Sequence, residues 1–225
     1  RSVDEVIWGN TDLLDGTGKY LIRIPNYGYY SSLDATIEYS IPNLVNIATN
    51  DRFADYLKKA VYIAPVVYDN VDFNSKQRHL TISMFSSNQS DRRSEFVSMA
   101  QNKKLDIHNI QGVFTKEDLK RVYDRSRIMV NVHQTDHHHT FEELRVLPAL
   151  SNGVLIVSED VPLKDSIPYR DSIVWASYRD LPYVIKDAQE NYELYRKNTF
   201  TDALKECIID LHATNYRRLM DVCES

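Results

Sequence analysis

From residue 79 to residue 178, short apolar runs take turns with amphipathic ones. "HLTISMFSS" (79–87) reads as a buried strand. "DRRSEFVSMAQNK" (91–103) reads as a helix, because Phe96, Met99 and Ala100 recur on one face. "LDIHNIQGV" (105–113) is again strand-like. "TKEDLKRVYDRS" (115–126) predicts a helix with Thr115 at its N-cap and Leu119, Val122 and Tyr123 inward. The strand "RIMVNVH" (127–133), the helix "TFEELRVLPALSN" (140–152) closed by Gly153, and the strands "GVLIVSE" (153–159) and "SIVWASY" (172–178) complete the series. Strands that alternate with helices build a parallel sheet covered on both faces, a doubly wound, Rossmann-like α/β fold. Ligands of such a sheet bind beyond the carboxyl ends of its strands.

The flanks differ. Residues 1–72 carry the short runs "EVIW", "YLIRI", "TIEYS" and "VYIAP", bounded by Gly, Asn, Pro or Asp, which predicts a small α/β N-terminal lobe with short helices such as 51–59. "DNVDFNSKQR" (69–78) is polar and reads as a linker, so the Rossmann-like unit is expected to span 73–225. Beyond about 180 the pattern is helical. The chain starts without Met and reads as an excised segment, with neighbouring modules of a longer polypeptide as expected partners.

Bulk properties narrow the function. A net charge of −5 over 225 residues argues against a nucleic-acid binder. Two cysteines near the C-terminus make no disulfide framework and suit a reducing, cytoplasmic setting. No run of about 18 apolar residues predicts a membrane span. The 15 tyrosines suit either carbohydrate contacts or core edges.

The segment 131–159 holds four of the seven histidines. His137, His138 and His139 are adjacent, so their side chains cannot converge on one ion without a contorted backbone, and no metal is expected. The loop leaves a strand end and enters a helix start, where anionic ligands bind. "TFEE" (140–143) fits a capping box, with Thr140 as cap and Glu143 reaching back. Glu142, in the first turn, is suited to ribose hydroxyls, and Arg145 lies one turn further on. Pro148 is expected to kink the helix or restart it. After the first strand of the alternation, "SSNQSDRR" (86–93) offers Ser87, Asn88, Arg92 and Arg93 as a phosphate clamp. Sequence signatures of dinucleotide binding, of a P-loop and of a Ser or Cys nucleophile are missing.

These residues resemble the donor-binding domain of GT-B type glycosyltransferases. The resemblance rests on Asn131 and His133 at a strand end, Glu142 and Arg145 on the next helix, and Val157, Ser158 and Glu159 at the next strand end. "IEYSIPNLVNI" (37–47) and "VYIAPVVY" (61–68) add to it, so that it covers most of 36–180. It implies transfer of a sugar from a nucleoside-diphosphate sugar, a UDP-sugar being favoured, to a glycan hydroxyl. The donor contacts would come from Ser87, Asn88, Arg92, Arg93, Thr140, Phe141, Glu142, Glu143 and Arg145. His133 or Asp136 would be the catalytic base, and the reaction would need neither metal nor cofactor. Multi-module transferases of large DNA viruses and of bacterial surface-glycan clusters are built from such pieces. A capsid-glycan rhamnosyltransferase acting in host cytoplasm is one expectation. Two departures stand out. Pro148 lies where many retaining enzymes carry a second Glu, and residues 1–72 are short for an acceptor domain. A non-catalytic nucleotide-binding module and a GT-B-shaped sugar-nucleotide epimerase are the alternatives.

Overall fold

The computed structural model describes residues 7–8, 21–22, 24, 32–68, 71–74, 78–85, 91–134 and 141–224. Its main body is a five-stranded sheet flanked by helices. In chain order the elements of this body are β5 (Leu80–Ser83), α3 (Asp91–Asn102), β6 (His108–Asn109), α4 (Lys116–Arg125), β7 (Ser126–Asn131), α5 (Glu143–Ser151), β8 (Leu155–Glu159) and β9 (Val174–Ala176), followed by α6 (Leu181–Glu190), α7 (Tyr192–Thr199) and α8 (Asp202–Glu224). The spatial order is β6-β5-β7-β8-β9, and every pairing is parallel. The chain runs outward from β5 to β6 and then returns to the other side of β5. The order therefore switches between β5 and β7, the place at which sheets of this topology bind their ligands.

Strand alternation sorts the core into two layers. Met129 and Ile156 face a cluster that includes Leu147 and Leu150 of α5, Tyr123 of α4, and Ile208 of α8. Ile128, Val130, Leu155 and Val157 face the opposite cluster, with Phe96 of α3 and Leu181 and Ile185 of α6. With both faces covered, β7 and β8 are buried almost throughout, which explains their continuous apolar runs. Fully burying one such side chain contributes about 1.5–3 kcal/mol.

The expected helices form with small shifts. Thr115 caps α4, its Oγ1 accepting from the Asp118 amide at 3.1 Å. The helix α5 runs unbroken through Pro148. The N–H that Pro148 lacks would have met the Leu144 carbonyl, and Leu144 lies on the exposed outer side of α5. Asn152 is the C-cap, and Gly153 follows in the left-handed region at φ 72°. A Cβ at Gly153 would lie 3.0 Å from the Phe73 Cα, so glycine is required twice over.

The N-terminal lobe holds an antiparallel pair, β1 (Ile7–Trp8) with β2 (Leu21–Ile22), and a parallel pair, β3 (Thr36–Glu38) with β4 (Ala60–Tyr62). α1 (Ile41–Ala48), a 3-10 turn (Asp51–Phe53) and α2 (Ala54–Lys59) connect β3 to β4 over a small core of Ile47, Phe53 and Tyr56. Two features fasten this lobe. Asn215 of α8 donates to the Ala64 carbonyl at 2.7 Å and accepts from its amide at 2.8 Å. Arg218 donates to the Tyr62 carbonyl at 2.9 Å.

The described part of the expected linker is anchored, contrary to its polar sequence. The Asp72 amide donates to the Ser151 carbonyl at 3.2 Å. Arg78 donates to the carbonyls of Tyr123, Ser126 and Asn152, where α4 and α5 end. A guanidinium there satisfies carbonyls that the helices leave open.

Candidate functional site

The carboxyl edge of the sheet gathers charged residues from four elements. β7 delivers Asn131 and His133, β8 delivers Ser158 and Glu159, the start of α3 delivers Arg92 and Arg93, and the start of α5 delivers Glu142 and Arg145. Glu159, 5% exposed, is the hub of this edge. Its carboxylate accepts from the His133 amide at 3.0 Å and pairs with the Arg92 guanidinium. That guanidinium also lies 3.9 Å over the Tyr178 ring, and the Tyr178 hydroxyl donates to the Arg92 carbonyl at 2.6 Å. Glu159 and Tyr178 thus fix the end of β7 relative to the start of α3.

Arg93 turns inward. It donates from Nε and Nη2 to the Val132 carbonyl at 3.3 and 3.1 Å and lies 4.9 Å over the Phe85 ring. Burial, and after it the nearby Arg145 charge, lowers its pKa to about 10 against the opposing charges of Glu142 and Glu159. Arg93, Arg145, Glu142 and Glu159 therefore share one electrostatic neighbourhood. Arg145 is half-buried and makes a long 3.5 Å contact to the Asn131 Oδ1. Asn131 in turn donates to the Ser158 Oγ at 3.0 Å. Of the three arginines, Arg145 is the one least engaged by the described protein groups.

His133 is buried, at 2% exposure, with Nε2 3.3 Å from the Asp160 carbonyl. That contact requires a proton on Nε2.

Two expected donor contacts lie elsewhere. Phe141 is 1% exposed and packs on Trp175, with ring centroids 5.1 Å apart. It belongs to the core. Glu143 does not reach back in a capping box. α5 begins at Glu143, with Glu142 at the cap position making no side-chain cap bond. The fully buried Glu143 carboxylate crosses to the N-terminal lobe instead. It accepts from the Ile41 amide and from the hydroxyls of Tyr62 and Tyr169, each at 2.9 Å. A buried carboxylate needs donors, and the lobe joint supplies three. Burial nonetheless raises its pKa to about 7, against these donors. The Ser40 Oγ adds a bond to the Phe141 carbonyl at 3.2 Å across the same joint.

Ser87, Asn88, Asp136, Thr140 and the three adjacent histidines lie outside the described residues. Among the described residues no group of three or more His, Cys, Asp or Glu side chains is arranged to hold a metal ion. No helix among them is long and apolar enough to cross a membrane.

Tyr62 and Tyr169 hold Glu143, and Tyr178 holds Arg92. Nothing in the sequence separates these from the other tyrosines, because each acts on an acid or base far away in the chain.

Fold and site together define an α/β protein with a parallel sheet and a charged, arginine-containing carboxyl edge. No protein-family model matches the chain. It is similar to an uncharacterized protein of Acanthamoeba polyphaga mimivirus, 26% identical over 196 residues, which are 81% of this chain. The match spans 66% of that viral protein's length.

Proposed function

We propose that this chain is the donor-binding part of a GT-B type glycosyltransferase. It moves a sugar from a nucleoside-diphosphate sugar, a UDP-sugar being favoured, to a glycan hydroxyl. The observation that carries this reading is the convergence of Glu142, Arg145, Arg93 and His133 on the carboxyl edge, beside the switch in strand order. Sugar transfer leaves a diphosphate whose charge must be neutralised. Arg145 and the first amides of α5 fill that role, with Arg93 adding positive potential from beneath. Glu142 accepts from the ribose hydroxyls. His133 or Asp136 takes the proton of the acceptor hydroxyl. Glu159 and Tyr178 hold this edge together. The reaction needs no metal in this reading.

In this reading the acceptor belongs to the capsid or surface glycans of a large DNA virus, with rhamnose as one candidate sugar; the mimivirus protein that the chain resembles is itself uncharacterized.

The test is a thermal-shift panel of UDP-, GDP- and dTDP-sugars, with transfer to glycan acceptors measured in parallel. Binding to the native state raises the melting temperature by mass action. A shift with one nucleotide class and release of its diphosphate on adding acceptor supports the reading. A shift without turnover supports a non-catalytic binding module. Interconversion of the sugar nucleotide without acceptor supports an epimerase. The absence of any shift overturns all three.

A further inference from the structure

We infer a second binding site, at the opposite, amino-terminal edge of the sheet, for a small phosphate ester carrying a planar apolar group. A cavity of ≈ 410 Å³ opens there between residues 71–74 and the junction of α7 with α8. Its size lies within the range of about 300–1,000 Å³ typical of small-molecule pockets. Phe73 anchors it to this edge, because the Phe73 backbone lies against Gly153, just before β8 begins.

The lining combines two chemistries. Phe73 and Phe200, with ring centroids 5.0 Å apart, form an aromatic wall. Arg196, Lys197 and Lys205 bring three positive charges against the single acid Asp202. Among the described residues none of these three cations has an ion-pair partner, although the chain is acidic overall. Arg196 makes one protein bond, to the Phe73 carbonyl at 2.9 Å, which fixes a fork-shaped donor group beside the aromatic wall.

The arrangement of these groups points to the ligand's charge. A fixed guanidinium and two lysines without ion-pair partners among the described residues, set in one concavity, are suited to an oxyanion, which accepts from several donors at once. The aromatic wall suits the planar group attached to it. This site shares no residue with the carboxyl edge and stands independently of the transferase reading.

Calorimetric titration of the whole chain with phenyl phosphate, inorganic phosphate and phenol tests it. Phenyl phosphate is expected to bind, inorganic phosphate more weakly, and phenol not measurably. The double variant Lys197→Glu/Lys205→Glu alters two exposed side chains, so the fold is retained. It is expected to weaken phenyl phosphate binding by about tenfold or more, because charge-assisted contacts are lost. Arg145→Ala, at the carboxyl edge, is expected to leave that binding unchanged. Absence of phenyl phosphate binding by the unaltered chain overturns the inference. So does binding that is lost in Arg145→Ala and retained in the double lysine variant.

Discussion

Glu143→Gln is the most informative single change, because it tests how the two lobes are joined. Glu143 is fully buried, with three donors around its carboxylate and Glu38 as the nearby acid. Burial outweighs the donors and raises its pKa from 4.5 to about 7. At 1.36 kcal/mol for each pKa unit, that shift corresponds to about 3 kcal/mol. The sign follows from linkage. The native state holds the proton more tightly than the unfolded chain, so the stabilisation is complete below about pH 4.5 and is lost as pH rises through about 7. Glutamine keeps the shape and does not ionise. Its Oε1 still accepts from the Ile41 amide, and its Nε2 donates to a tyrosine oxygen after the hydroxyl rotates. Urea unfolding of both proteins across this pH range gives the difference in stability, in which all other titrating groups cancel. The stability of Glu143→Gln relative to the unaltered protein is expected to improve by about 3 kcal/mol from pH 4.5 to pH 8. A flat difference, or one that turns against Gln at high pH, would show that the three donors outweigh burial and would refute the argument.

Further expectations concern the carboxyl edge. Arg145→Ala should weaken nucleoside-diphosphate binding by about 1.5–3 kcal/mol in calorimetry, the cost of a charge-assisted contact. Glu142→Ala should raise the KM for the donor and leave kcat nearly unchanged, since a ribose contact is made equally in the ground and transition states. Replacing the base, by His133→Ala or Asp136→Asn, should instead lower kcat by about 10²–10⁴-fold with donor binding retained. Transfer should persist in EDTA, because the sequence has no DxD motif and three adjacent histidines converge poorly. Loss in EDTA with recovery in manganese would restore a metal role.

The sheet was legible because burial on both faces leaves an unbroken apolar run, as in 128–130 and 154–157. The strand expected over 105–113 shrank to His108–Asn109, since this edge strand pairs on one side only. α1 was not foreseen as a separate element, although Ser40 caps it and Pro42 opens its first turn. The positions of Glu142, Arg145 and His133 at strand and helix ends followed from local pattern. The partners of Glu143, Arg92 and Arg78 did not, because they come from residues 26 to 102 positions away. Local pattern places a side chain at the edge of a sheet. It does not say whether a partner from another element already holds it, as Val132 holds Arg93 and Glu159 holds Arg92.

The most direct measurement is release of nucleoside diphosphate from UDP-, GDP- and dTDP-sugars in the presence of glycan acceptors, followed by mass spectrometry. The account predicts acceptor-dependent release from one nucleotide class, and its loss in the double variant Glu142→Ala/Arg145→Ala. Neither binding nor release with any of the three classes, from correctly folded protein, would contradict it.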